Sequence, residues 1–317
     1  MFTFSKTKIP VCRITGGRND GKIVYLTEQS NRPISGGNSE PHDPLKCADC
    51  DKKFTRKDGL KRHIDSDACR VGYIKKYLTK YGSFSGPTEI FDELDVSDGV
   101  IQPLPNPQLD RNGWYACGQA GSGKTFMTGK FAEELQKQNK KKVIVFSPFE
   151  KDKSLSNVKN ISFVKMSDEM TENPIQVEEL ANKIVIFDDI ESLPKPYNNL
   201  MKDLRDKCLQ IGRKSGIDVL MTNHMLTDYK NTRILLGETH FILFFPETAT
   251  RMHIDRLCKE YVGLSKKSID KLCNLNTRWV CIFKNAPRYI MTEHFLTNLK
   301  KFDDNIYRNE PTAKTAN

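Results

Sequence analysis

The chain has 317 residues, 38% of them hydrophobic and 28% charged, which suits a globular protein with length for one large domain and a small module. No run approaches the roughly 20 apolar residues of a membrane-spanning helix, and residues 1–10 lack the apolar core of a secretory signal, so an intracellular protein without a membrane partner is expected. Fifty Lys and Arg against forty Asp and Glu give a formal charge of +10, which favours a polyanionic partner through counterion release. Nine cysteines make no disulfide scaffold at this length. Five of them, Cys117, Cys208, Cys258, Cys273 and Cys281, lie in apolar or helical stretches, as buried thiols in a reducing compartment do.

Short β-like runs at 11–14 and 22–26 flank Gly16-Gly17 and Asn19-Asp20-Gly21, the punctuation of a hairpin. Residues 1–40 are therefore read as a small β element followed by a Ser-, Asn-, Pro- and Gly-rich linker. Next comes Cys47-x2-Cys50-x12-His63-x5-Cys69, with the ligand types and spacing of a tetrahedral Zn²⁺ site whose last ligand is Cys instead of His. Phe54 and Leu60 fall where a ββα finger places its small core, and a module this short needs the metal to fold. A disulfide between Cys47 and Cys50 is the competing reading, but it leaves Phe54 and Leu60 without a role. The finger is assigned to 41–72, and a basic helix at 73–81 with a connecting arm is assigned to 73–111.

Residues 118–125, Gly118-Gln119-Ala120-Gly121-Ser122-Gly123-Lys124-Thr125, match G-x-x-x-x-G-K-[ST] between an apolar run at 114–117 and a helical pattern at 125–138. Glycines let the backbone wrap phosphates, the helix N-terminus supplies positive potential, Lys124 reaches the β- and γ-phosphates of ATP, and Thr125 can hold Mg²⁺. Strand-like runs at 142–146, 161–164, 183–187, 218–222 and 241–245 then alternate with helical patterns such as 198–212, which predicts an α/β fold with a mostly parallel sheet covered by helices. The run at 183–187 ends in Asp188-Asp189, a Walker B pattern. Asp188 would join the Mg²⁺ shell and Asp189 would polarise the attacking water, with Glu191 as its competitor.

The run at 218–222 ends at Asn223-His224, where a polar group can sense the γ-phosphate, although an isolated Asn there also fits a turn. Arg205, Arg213 and Arg233 are candidates for an arginine acting on a neighbouring subunit's nucleotide, against the alternative of solvated or salt-bridged side chains. Two helical patterns (249–262 and 265–275) and a hairpin (278–283 with 288–292) complete an ATPase domain at 112–297, leaving a polar tail at 298–317.

The combination of Gly118 to Thr125, the apolar run from Ile184 into Asp188-Asp189, Gly212-Arg213 before a strand ending in Thr222-Asn223-His224, and the run at 241–246 resembles the genome-packaging ATPases of nucleocytoplasmic large DNA viruses, poxvirus-type members of the FtsK–HerA group of P-loop NTPases. That resemblance covers about 112–296 and implies a homo-oligomeric ring translocating double-stranded DNA by ATP hydrolysis, in the cytoplasm of an infected cell, at a viral factory, or in the virion. It implies Asn223 at the sensor position and Arg213 as the trans-acting arginine. The family commonly has Gln at that sensor position. The finger is similar to C2H2 fingers, which implies Arg56 and Arg62 as DNA-contacting residues, with Gly59 between them reading nothing. One finger spans only about 3 bp, so non-specific DNA anchoring and docking of a protein both remain open. The alternative to a motor is a zinc-finger DNA-binding or adaptor protein whose P-loop domain is a nucleotide switch.

Overall fold

The computed structural model describes residues 1–27, 53, 55–56, 58–59, 62, 90–228 and 232–303. The chain divides into two units, Met1–Thr27 with Ile90–Asn317, and Glu28–Glu89. In the smaller unit the four expected zinc ligands Cys47, Cys50, His63 and Cys69, together with Phe54, Leu60 and the helix expected at 73–81, lie outside the described residues. Arg56 and Arg62 are described and exposed, and the Arg62 Nε donates to the Asp58 carbonyl at 3.4 Å.

The larger unit begins with β1 (Phe2–Thr3), β2 (Pro10–Thr15), β3 (Ile23–Leu26), β4 (Ile90–Phe91), β5 (Glu93–Asp95) and β6 (Val100–Pro103). All but β5 join one antiparallel sheet in the order β4-β1-β3-β2-β6. The expected hairpin is there as β2 and β3. The stretch at 82–112, read from sequence as a connecting arm, instead supplies β4, β5 and β6, because strands of two to four residues carry too few side chains to show a period.

The second sheet holds ten strands. β7 (Gly113–Cys117), β8 (Lys142–Phe146), β9 (Ile161–Val164), β10 (Lys183–Asp188), β11 (Asp218–Asn223) and β12 (Phe241–Phe244) are mutually parallel in the order β9-β8-β10-β11-β7-β12. Antiparallel β13 (Val280–Phe283), β14 (Tyr289–Thr292) and β15 (Phe295–Asn298) extend it, and β5 closes that edge. The sheet is thus mixed, with the expected parallel strands running from β12 to the β9 edge and the expected hairpin on the other side.

Alternation along the central strands sends side chains into two cores. Tyr115, Val185, Phe187, Val219 and Met221 pack with α-helices on one face, while Trp114, Val145, Ile186 and Leu220 pack with helix α1 (Lys124–Asn139) and with Phe2, Ile14 and Ile101 of the small sheet. Burial on both faces is why these strands read as continuous apolar runs. Trp114 stacks on Phe131 of α1 with ring centroids 4.4 Å apart, and its indole N–H donates to Thr128 at 2.9 Å. The first face is covered by α2 (Tyr197–Ile211), α3 (Arg233–Glu238), α4 (Arg251–Arg256) and α5 (Lys266–Cys273). A short helix, α6 (Leu299–Phe302), buries Leu299 and Phe302, and the Asp303 carboxylate accepts from the Ser265 N–H at 2.9 Å. Packing therefore continues past residue 297, into the stretch read as a polar tail.

Candidate functional site

Strand β7 ends at Cys117 and α1 begins at Lys124, so residues 118–123 form the loop joining a buried strand to a helix N-terminus. Three glycines are required by its shape, Gly121 by its φ of +79° and two more by contact and conformation. A Cβ on Gly118 would lie 2.5 Å from Ser122 Oγ and 2.6 Å from the Phe245 ring, and Gly123 has φ of +105°, which side-chain-bearing residues rarely adopt. The Gly118 N–H donates to the Asn223 carbonyl at 3.0 Å, tying the loop to the end of β11. Gly-rich turn and helix N-terminus together make a backbone donor set of the kind that can hold phosphate.

Four of the side chains the sequence singled out converge here. Lys124 Nζ lies 3.0 Å from Asp189 Oδ2, and Thr125 Oγ1 donates to Asp188 Oδ1 at 3.1 Å. Because β10 and β11 are parallel with Asp188 opposite Thr222, the Thr222 hydroxyl donates to Asp188 Oδ1 at 2.8 Å and accepts from the Asp189 N–H at 3.0 Å. From β8, Ser147 Oγ reaches Asp188 Oδ2 at 3.3 Å. Burial pushes the Asp188 carboxyl above its usual range, the Asp189 charge adds to the shift, and the Thr222 and Thr125 hydroxyls oppose it. Asp189 itself adopts φ of +47°, a left-handed conformation that aims its carboxylate back at Lys124.

Glu191, the competing carboxylate, faces elsewhere: its Oε1 accepts from the buried Arg205 at 2.9 Å. Arg205 also binds Asp206 at 2.9 Å, so this arginine is committed within its own chain. The amide oxygen of Asn223 accepts from the Met225 N–H at 3.3 Å, whereas His224 Nε2 stands 3.4 Å from Asp189 Oδ2. The side chain at this strand end that reaches the acidic pair is therefore the imidazole. Arg213 sits past the end of α2, close before β11 begins, on the far end of the parallel strands from the phosphate loop; it is exposed, with Asp110 at 3.9 Å. It does not join this chain's own site.

Three partners escaped the sequence reading, Ser147, His224 as the group facing Asp189, and Arg278, whose Nη2 donates to the Ser122 carbonyl at 3.0 Å, while Thr222 was noted at the strand end without its role beside Asp188. The signal for Thr222 was available, since parallel pairing of two strands that end in acid and amide puts it beside Asp188. Arg278 had none, being 156 residues from Ser122.

The donor set suits Mg²⁺: the Asp188 carboxylate and three hydroxyls, all hard oxygens, converge here. Among the described residues no group of three or more His, Cys, Asp or Glu side chains forms a metal cluster, and no helix is long and apolar enough to cross a membrane.

No family model matches the sequence. Protein V3 of Sputnik virophage, itself uncharacterized, is 32% identical over 207 residues, covering 64% of this chain and 83% of the relative. The chain belongs to the V3 family. A homologue of the protein is therefore viral. Solved structures with some likeness include the genome packaging NTPase B204 of Sulfolobus turreted icosahedral virus 2 in complex with ATP-gammaS, at 16% identity, 58% coverage of this chain, 97% of that chain and a TM-score of 0.40. The pCW3 conjugation coupling protein TcpA with ATPgS gives 13%, 69%, 68% and 0.42 for the same quantities. The cytoplasmic domain of the Thermomonospora curvata type VII secretion ATPase EccC gives 11%, 67%, 29% and 0.42.

Proposed function

We propose that this V3-family chain is an ATP-hydrolysing, DNA-directed motor, and that its task is packaging a viral genome. The observation that carries the reading is the meeting of Lys124 and Thr125, at a helix N-terminus behind a glycine loop, with Asp188 and Asp189 at the end of β10. Lys124 exchanges Asp189 for the β- and γ-phosphates of ATP, which frees the Asp189 carboxylate to orient and deprotonate the attacking water. His224 and Thr222 keep that carboxylate in place. Thr125 and Asp188 would hold Mg²⁺, which supplies charge neutralisation at the phosphates when bound. Strand β11, anchored to the loop through Asn223 and to the acids through Thr222, links the phosphate site to the rest of the sheet.

Several features support the partners of a packaging motor. The charge of +10 fits double-stranded DNA. Phe126, Phe149, Met225 and Met252 are at least half exposed on segments that follow the C-terminal ends of β7, β8, β11 and β12, an apolar rim around the site that fits packing of a second copy in a ring. Arg213, remote from its own chain's loop, would then serve a neighbour. Cys47, Cys50, His63 and Cys69 would hold Zn²⁺, and Arg56 and Arg62 of the finger would touch DNA. The viral relative fits an infected cell or virion as the setting.

Steady-state ATP hydrolysis by the zinc-replete protein, with and without long double-stranded DNA, tests the reading. DNA-stimulated turnover that falls by about 100-fold or more in Asp189→Asn, with ATP binding retained, is the expected result. Tight ATP binding without turnover, indifferent to DNA, would replace the motor with the nucleotide-switch adaptor.

A further inference from the structure

We propose that Arg278 is a nucleotide-binding residue acting within its own chain, adding its guanidinium to the phosphate-holding charge of the loop. The inference rests on the nucleotide reading of that loop. Arg278 lies just before β13, and its backbone is fixed on both sides. Its N–H donates to Glu293 Oε2 at 2.8 Å, while the neighbouring Thr277 hydroxyl donates to the Trp279 carbonyl at 3.0 Å and Trp279 is buried. The exposed guanidinium extends from this support to the phosphate loop, where Nη2 donates to the Ser122 carbonyl at 3.0 Å and lies 3.3 Å from the position a Cβ on Gly123 would take.

Its surroundings separate it from other arginines. Arg205 is matched by Glu191 and Asp206, Arg251 by Asp255 and Asp270, and Arg111 by Glu238 and the carbonyls that close α2. Among the described residues no carboxylate pairs with Arg278; its one side-chain partner is a loop carbonyl. An arginine without an acid is ordinarily a solvated surface group. Here it is braced against the turn whose N–H groups face the ligand, and its remaining N–H donors are available to phosphate oxygens, for which a planar guanidinium is well matched. Gly123, which its φ of +105° requires, leaves that approach clear, since a Cβ there would crowd Nη2 at 3.3 Å.

The test is equilibrium binding of ATP and of ADP to the full chain across a salt series, for the wild type, Arg278→Ala, Arg278→Gln and Arg278→Lys. Loss of one charge-assisted contact should weaken both nucleotides about tenfold in Arg278→Ala and flatten the salt dependence. Arg278→Lys should recover part of the loss, and the effect should not depend on protein concentration, as a contact made within one chain requires. Full recovery in Arg278→Gln, which can keep the bond to Ser122 without charge, would make the residue a brace for the loop and overturn the proposal. So would unchanged affinities in Arg278→Ala. A wild type that binds neither nucleotide would sink the nucleotide reading itself, and the inference with it.

Discussion

Two buried aspartates stand on neighbouring strands at opposite ends of the sheet, and they are used in opposite ways. Asp218 opens β11 and Asp188 closes β10, and both are 2% exposed. Asp218 accepts from the Asn112 N–H at 2.7 Å, the Asn139 amide at 3.1 Å and the Lys141 ammonium at 2.7 Å. Its charge is neutralised by a cation and its lone pairs are filled, so it locks the start of β11 to β7 and α1. Asp188 has three hydroxyls and no cationic side chain among its described partners, and burial raises its pKa. A buried acid that the fold leaves without a counter-charge disfavours its own ionised form, and that is the mark of chemistry more than of architecture.

Substitution should split the two. Asp218→Ala strands the Lys141 ammonium and the Asn112 N–H in a buried site, and breaking such a pair costs about 3–5 kcal/mol. Urea denaturation should show that loss, while nucleotide affinity stays within about twofold of wild type. Asp188→Asn removes a charge that burial opposes, so its thermal midpoint should rise by a few degrees even as turnover disappears. Equal destabilisation by both changes would erase the contrast.

A smaller effect distinguishes the far end of the strands by pH. His240 Nδ1 accepts from the Gly113 N–H at 2.9 Å, and burial, reinforced by the Arg111 and Lys284 charges, pushes the imidazole down to about 4. The unfolded chain takes up this proton near pH 6.5. Between those values the unfolded state binds more protons than the native one, so stability climbs with pH across the window and is lost as pH falls through it. The loss attributable to His240 between pH 6.5 and 4 is about 3 kcal/mol. Denaturation of His240→Gln alongside wild type at both pH values isolates it, because the carboxylates common to the two proteins cancel. Parallel loss in both would assign the acid sensitivity to other groups.

The Asp188 half of this contrast was legible in the sequence, and the Asp218 half was not. Gly118 to Thr125 and Asp188-Asp189 announce themselves because phosphate binding constrains residues that are contiguous, and the central strands do so because burial on both faces leaves them uniformly apolar. Ser147, His224 and Arg278 reach the site through sheet register and a late hairpin, and spacing along the chain carries no trace of that. The short strands β4 and β5 show the same limit. Two or three residues have no period, and adjacent segments part to join different sheets. The end of β11 shows a finer limit: which of two consecutive polar side chains, Asn223 or His224, turns toward Asp189 depends on the twist of the last residue.

The smallest expected change comes from the largest deletion. Leu26 of β3 and Phe91 of β4 both pair with Phe2, from opposite sides of β1. Two strand spacings place them about 10 Å apart, so residues 28–89 leave the small sheet and return to it at nearby points. A long excursion between close ends adds little to the cost of folding what lies around it, and a Gly/Ser linker of about six residues spans the gap. Replacing 28–89 by such a linker should leave the stability of the remainder within about 1 kcal/mol of the full chain and ATP affinity unchanged. It should also remove one bound Zn²⁺ per chain, measured by metal content, while a fragment of 41–72 retains that ion. Basal turnover that persists while DNA stimulation vanishes would attach the proposed finger at 41–72 to DNA; stimulation that survives would point it at a protein instead. Loss of nucleotide binding on excision would mean that the phosphate site depends on the inserted unit, contrary to the separation of the two.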